Sequence, residues 1–355
     1  MALTINIPNS LRAAVEAASQ GRCTVMFTAK GQPSYMAVIP KFTVQSIDAS
    51  LGTGTHPMFI VNSVEKSYRY VGLYPGVLKN GEVLSLPGED PYNTVTHDVA
   101  VTNARSCGTG WGLMTNTDWA GIALTCWKNG TMPRGNTDYG RSSDLASERA
   151  VDAATGYLAA TSGTATTRTR TGSGPASWRH DGTPFGIADL CGNVWEWAPG
   201  CRINSGEIQI VAGNDAALNA TDLSSGSAAW KAIDGATGAL VAPGSAGTCK
   251  YAVSGTADYT LVRANGSSFE GMTNPGATNP VGATALALLK QYGLYPIASS
   301  GLGGDGFWID VTGEHCPVRG GYYGGGALGG VAAMDLYIAR SSSGTHIGCR
   351  PAFVS

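Results

Sequence analysis

The chain predicts an α+β fold built from many short strands, a few helices and abundant turns. Three observations carry that expectation. Residues 66–74 alternate polar and apolar positions, as a half-buried strand does. Residues 116–128 place Trp119, Ile122, Ala123 and Trp127 at helical spacing, between a cap at Thr115 or Asn116 and a stop at Gly130. Fifty glycines in 355 residues, with only 14% charged residues, argue for turns and short strands and against long charged helices.

Taken in order, residues 1–34 read as a small N-terminal element, either an adaptor or oligomerisation piece or simply an edge of the main domain. Asn9-Ser10 caps a predicted helix through Gln20, with Leu11, Ala14, Val15 and Ala18 on one face. A strand from Cys23 and a turn at residues 30–33 follow. The main domain spans 35–355, with strands predicted at 36–44 and 58–61, then the segment 66–74. Residues 111–115 lead into the capped helix, and a second short helix is expected at 145–154. Residues 155–180, rich in Gly, Ser and Thr, read as a surface loop. Residues 198–318 form a long insertion that must carry its own elements, a strand at 207–211 and a helix at 283–292 among them.

The bulk properties exclude several classes. A hydrophobic fraction of 43% supports a packed core, and a net charge of -2 without any Lys/Arg cluster argues against nucleic-acid binding. No segment is apolar for long enough to span a bilayer. The opening run from Met1 lacks the charged and apolar regions of a signal peptide, so assembly in the cytoplasm is expected. The eight cysteines, Cys23, Cys107, Cys126, Cys191, Cys201, Cys249, Cys316 and Cys349, are spread along the chain. They form no CxxC and no zinc-like spacing, which suits free thiols in a reducing compartment.

Two stretches stand out chemically. Around Gly192-Asn193, Asp189 and Glu196 offer oxygen ligands on a tight turn, suited either to a hard cation such as Ca²⁺ or to a turn without metal. Residues 319–353 set Tyr, Gly, Leu, Asp, Ile, Ser, Thr and His side chains inside a frame of Arg and Gly. That mixture suits neither a core nor a catalytic centre, but it suits a contact surface. The five histidines lack any HExxH or triad-like context. Asp305, Asp310 and Glu314 read equally as paired carboxylates or as a solvated loop.

The segment from Phe185 to Trp197 resembles the GLYDMxGNVWEW signature of the formylglycine-generating enzyme family, a branch of the C-type lectin fold. Further stretches resemble the family in order: Ser63 to Ser67 with Tyr74, the Leu113 to Trp119 run, Val318-Arg319-Gly320-Gly321, and Ile347-Gly348-Cys349-Arg350. The resemblance implies a C-type lectin fold over roughly residues 35–355. It also implies a structural Ca²⁺ held by the side chains of Asp189 and Glu196 and the carbonyls of Gly192 and Val194. The family's enzymes bind copper through paired cysteines just after the Gly-Gly, where this chain has none. A copper-dependent oxidase is therefore the disfavoured alternative, and a calcium-dependent sugar lectin a second one.

Residues 319–353 are also similar, without gaps, to the variable region of diversity-generating retroelement target proteins, which include phage tropism determinants. Template asparagines fall on Tyr322, Gly324, Gly325, Leu328, Asp335, Tyr337, Ile338, Ser342, Gly344, Thr345 and His346. Each of these residues is reachable from the codon AAC by changing adenines alone. The resemblance implies a non-catalytic ligand-binding protein, with those eleven side chains as its variable surface. The expected ligand is a cell-surface receptor, and the expected setting a phage or prophage tail beside other virion tail proteins. An oligomer such as a trimer is expected, because weak sites gain from multivalency. Tyr323, Val331, Met334 and Cys349 are expected in the core.

Overall fold

Short strands and tight turns dominate the computed structural model, which describes residues 7–263 and 266–355. Residues 1–6, most of the run read as lacking a signal peptide, lie outside the described residues. The architecture is mixed helix and sheet, with sheet predominating, and three larger sheets organise it.

The first sheet is antiparallel and runs Cys23–Phe27, Pro33–Pro40, Tyr68–Gly72, Pro351–Phe353 and Trp111–Leu113. A boundary at residue 34 would cut the Pro33–Pro40 strand, so the N-terminal hairpin is built into the same sheet as the C-terminus. The helix Ile7–Ser19 lies against that hairpin. It begins ahead of the expected Asn9-Ser10 cap, and Ala14 and Ala18 of its expected apolar face are exposed, while Leu11 and Val15 are half-buried. The strand expected at 36–44 stops at Pro40, which has no N–H for a ladder. Only Ile60–Val61 is extended within 58–61, because His56 Nδ1 accepts from the Met58 N–H and turns Pro57–Phe59 into a 3₁₀ helix.

The second sheet orders Ser267–Ser268, Gly306–Ile309, Met334–Leu336, Val318–Arg319, Trp195–Trp197 and Ile347–Cys349. Its alternation sorts two cores. Phe307, Ile309, Met334 and Leu336 pack on one side, and Trp195, Trp197, Val318, Ile347 and Cys349 on the other. The third sheet occupies the 198–318 segment, centred on Cys201–Asn204 and Glu207–Val211. After Trp197 the chain builds the third sheet, returns to the second at Ser267–Ser268 and Gly306–Ile309, and pairs Val318 with Trp197. The Ala283–Gln291 helix packs in this region through Ala285 and Leu289.

Local chemistry explains the best-defined helix. Asn116–Asn129 starts with a capping box in which Thr115 Oγ1 accepts from the Asp118 N–H and Asp118 accepts from the Thr115 N–H. It ends on Gly130 in the left-handed region, at φ 65°. Residues 145–154, by contrast, form turns and isolated bridges rather than the expected helix. Glu148 is claimed by Arg134 and the Trp178 indole, and Asp152 accepts from the Ala154 and Thr155 N–H groups. Such side-chain bonds compete with helical ones.

Asp118 does more than cap. It receives Arg69 Nε at 2.9 Å and Nη2 at 2.7 Å, plus Asn214 Nδ2 at 2.7 Å, and both ion-pair partners are fully buried. Asp118→Ala should therefore destabilise the protein by about 3–5 kcal/mol, because it strands a buried guanidinium as well as removing the cap. Urea unfolding monitored by tryptophan fluorescence would measure the loss, and a loss below ~1 kcal/mol would contradict the assignment.

Candidate ligand-binding site

The site is built outward from the Gly192-Asn193 turn. Both residues take positive φ, 72° and 64°. A Cβ on Gly192 would lie 2.0 Å from the Asn136 carbonyl oxygen, so only glycine fits. Asn193 uses its amide as a piece of backbone: Oδ1 accepts from the Thr169 N–H and Nδ2 donates to the Thr169 carbonyl. The same turn grips the C-terminal region, since the Gly192 N–H donates to Gly320 O and the Tyr323 N–H donates to Asn193 O.

The expected calcium ligands do not fit a dication. Both Glu196 oxygens are taken by Arg350, Nε to Oε2 at 2.9 Å and Nη2 to Oε1 at 2.6 Å, and the pair is buried. Arg350 also donates to the carbonyls of Gly72 and Ala188. Asp189 Oδ2 accepts from the Gly172 N–H. A guanidinium thus occupies the cationic place, and Ca²⁺ there would meet like charge. Among the described residues no group of three or more His, Cys, Asp or Glu is arranged to hold a metal.

From residue 319 on, ten frame positions are buried: Arg319, Gly320, Gly321, Gly330, Val331, Leu336, Ile347, Gly348, Arg350 and Pro351. The frame positions Gly326, Ala339, Arg340, Ser341 and Ser343 are not buried, and neither is any of the eleven template-asparagine positions. Frame contacts run largely through backbone and glycine. The Trp119 indole donates to Val331 O at 2.7 Å, the Gly326 N–H to Thr137 O, and the Ala332 N–H to Asp305 Oδ2 at 2.7 Å. A Cβ on Gly330 would lie 2.0 Å from Asp305 Oδ1. Arg340 ties the far side down by ion pairs to Asp98 at 2.7 Å and Glu314 at 2.9 Å.

Six of the eleven positions converge. Tyr322, Gly324, Gly325, Leu328, Asp335 and His346 line a concave pocket of about 510 Å³, together with Gly321, Gly329, Trp195 and Trp308. That volume lies within the usual range for ligand sites. Tyr322 meets His346 with ring centroids 5.2 Å apart, and Trp195 meets Trp308 edge-to-face at 5.7 Å. Tyr337, Ile338, Ser342, Gly344 and Thr345 lie outside the pocket lining. Tyr337 is exposed, and Ile338 packs partly against the Trp195 core. Tyr323, expected in the core, is half-buried between Tyr139 and Tyr322. Val331, Met334 and Cys349 are buried.

Sequence reasoning missed the pocket floor. Trp195 packs in the core of the second sheet and also lines the pocket. Trp308 sits in the 198–318 segment, where the alternation of Phe307, Trp308 and Ile309 was the available signal. Asp305, left open as a paired or solvated carboxylate, is buried and holds the Ala332 N–H, while Asp310 and Glu314 are half-buried.

The chain matches no family model and no curated protein sequence. Among solved structures it is similar to PvdO from Pseudomonas aeruginosa at 14% identity and a TM-score of 0.38, covering 94% of this chain and 98% of that one. It is also similar to Treponema denticola variable protein 1 at 12% identity and a TM-score of 0.34, covering 93% and 98%. TM-scores of this size do not fix a fold subtype.

Two outcomes test the site's construction. Chelation with EDTA should leave the melting temperature unchanged, whereas Arg350→Ala should cost about 3–5 kcal/mol by exposing Glu196 to an unpaired burial; a chelator-induced drop in melting temperature would restore the calcium. Burial pushes the Asp305 carboxyl up to about 7. Its folded pKa exceeds the unfolded one, so the folded state holds a proton that the unfolded state has released. Stability from this group is then full at low pH and is lost as pH rises towards about 7. Asp305→Asn should flatten that decline in urea titrations between about pH 4.5 and 7.5.

Proposed function

We propose that the chain is a non-catalytic ligand-binding protein of C-type lectin fold, whose residues 319–353 present a variable surface to a cell-surface receptor. The observation that carries this reading is the convergence of Tyr322, Gly324, Gly325, Leu328, Asp335 and His346 on one pocket, with every template-asparagine position left unburied. A fixed frame with changeable side chains is what recognition of diverse ligands requires. Tyr322 adds contact area with little rotamer entropy to lose, as in antibody paratopes. The setting that fits best is a phage or prophage tail tip bound to other tail proteins, with several copies, such as a trimer, acting together.

An oxidase of the formylglycine-generating type is disfavoured by the side chains present. Among the described residues no cysteine lines the pocket. Cys316 and Cys349 are both buried, and burial pushes the Cys316 thiol up to about 12, away from the thiolate that copper would need.

Variable and frame substitutions should separate cleanly. Tyr322→Ala with Leu328→Ser should abolish adhesion of the purified protein to receptor-bearing cells while changing unfolding free energy by no more than about 1 kcal/mol. Gly330→Ala should instead destabilise the fold by about 1–3 kcal/mol through its clash with Asp305. Adhesion that survives the double substitution would refute the pocket as the recognition site.

A further inference from the structure

The pocket has a chemical character beyond its concavity. Among the described residues, Asp335 is the sole carboxylate that lines it, and no Lys or Arg does. Burial lowers the His346 pKa, which keeps that imidazole neutral at neutral pH. The basic group near the rim, Arg168, is held by Asp90 in a two-point pair at 2.8 and 2.9 Å. The pocket therefore carries a net negative charge, enclosed by aromatic rings.

Geometry places that charge among the rings. Asp335 pairs directly with Trp308 in the parallel register of Gly306–Ile309 with Met334–Leu336, so both side chains stand on the same sheet face. Trp195 closes the floor at right angles to Trp308, with an interplanar angle of 89°. Tyr322 and His346 form the opposite wall. Asp335 Oδ1 accepts from the Tyr337 N–H at 2.6 Å, which fixes the carboxylate and leaves capacity for a further donor.

We propose that this pocket takes an organic cation, the guanidinium or ammonium head of an Arg or Lys side chain on the receptor, held against Trp195, Trp308 and Tyr322 and paired with Asp335. This rests on the ligand-binding reading and names the ligand class for the sequence as it stands. Tryptophan faces attract cations through their ring quadrupole, most strongly when water is excluded. A carboxylate within reach adds a charge-assisted hydrogen bond. Burial also raises the Asp335 pKa to about 6, against the opposing influence of the Tyr337 N–H and, less strongly, of His315 and the Ile338 N–H. The other titrating groups facing the pocket are His346 and Tyr322, with Tyr139 and Tyr323 beyond Tyr322.

The test compares N-acetyl-arginine amide with its neutral isostere N-acetyl-citrulline amide by calorimetry and tryptophan fluorescence on the full chain. The arginine compound should bind at least about tenfold more tightly, as a charge-assisted contact predicts. Asp335→Asn, which keeps an acceptor for the Tyr337 N–H, should erase that preference, while Tyr337→Ser outside the pocket should preserve it. Lowering the pH from about 7.5 to about 5 should weaken arginine binding about tenfold, because Asp335 protonates near pH 6. His346→Gln should retain most of that pH effect. Equal binding of the citrulline compound, or tighter binding of a neutral methyl pyranoside that ignores Asp335→Asn and pH, would overturn the cation assignment. The two readings fail separately: loss of cell adhesion in Tyr322→Ala with Leu328→Ser alongside equal citrulline binding sinks the ligand class alone, whereas unaffected adhesion sinks the site itself.

Discussion

Arg350 is the joint of the molecule. It stands between Ile347–Cys349, at the edge of the six-stranded sheet, and Pro351–Phe353, inside the five-stranded one. Its guanidinium reaches Glu196 in the first of these sheets and the Gly72 carbonyl at the end of a strand in the second. An ion pair removed from water loses much hydration energy, and it is tolerated only when hydrogen bonds satisfy the remaining donors. Here the carbonyls of Gly72 and Ala188 supply that satisfaction. The two sheets can meet in this way only when residues 347–353 are in register with both.

That constraint fixes the ends of the stretch from residue 320 to residue 346. Val318–Arg319 and Ile347–Cys349 flank Trp195–Trp197 on its two sides, so the chain between residues 320 and 346 departs from one side of that strand and returns on the other. Between those ends, the anchors act mostly on the backbone. Asn193 holds the Tyr323 N–H, Thr137 holds the Gly326 N–H, and Trp119 reaches the Val331 carbonyl. None of these contacts depends on the side chain at a template-asparagine position. Arg340 is the exception that anchors through its own side chain, and it belongs to the frame. Side chains on this loop can therefore change without removing what holds it.

What was legible in the sequence follows from the range of each interaction. The Asn116–Asn129 helix announced itself because Thr115, Asp118 and Gly130 act within a few residues of one another. Glu207–Val211 was equally readable from its β-branched alternation. The segment 145–154 misled because Glu148 and Asp152 serve tertiary and turn contacts that no helical period encodes. The partner of Glu196 was hidden for a related reason: the cation that answers it is Arg350, 154 residues away in the chain. Trp308 was hidden because a lone tryptophan in a long segment gives no sign of the Asp335 beside which it folds.

The pocket divides into parts with different capacities for change. Trp195 and Trp308 lie outside residues 319–353, while Tyr322, Leu328, Asp335 and His346 lie within it at template positions. Diversification of that stretch would rebuild the walls and leave the aromatic floor in place. A floor of two perpendicular indoles offers large apolar contact to almost any ligand, so it supplies affinity without much choice. Choice then falls to the walls, and position 335 has the greatest leverage because its side chain stands beside Trp308 in a partly desolvated site. Asparagine there would leave the pocket uncharged, and aspartate makes it negative. A histidine, also reachable by changing an adenine, could make it positive in acid. One position on a fixed strand would thus select among neutral, cationic and anionic ligands while the sheet beneath stays the same.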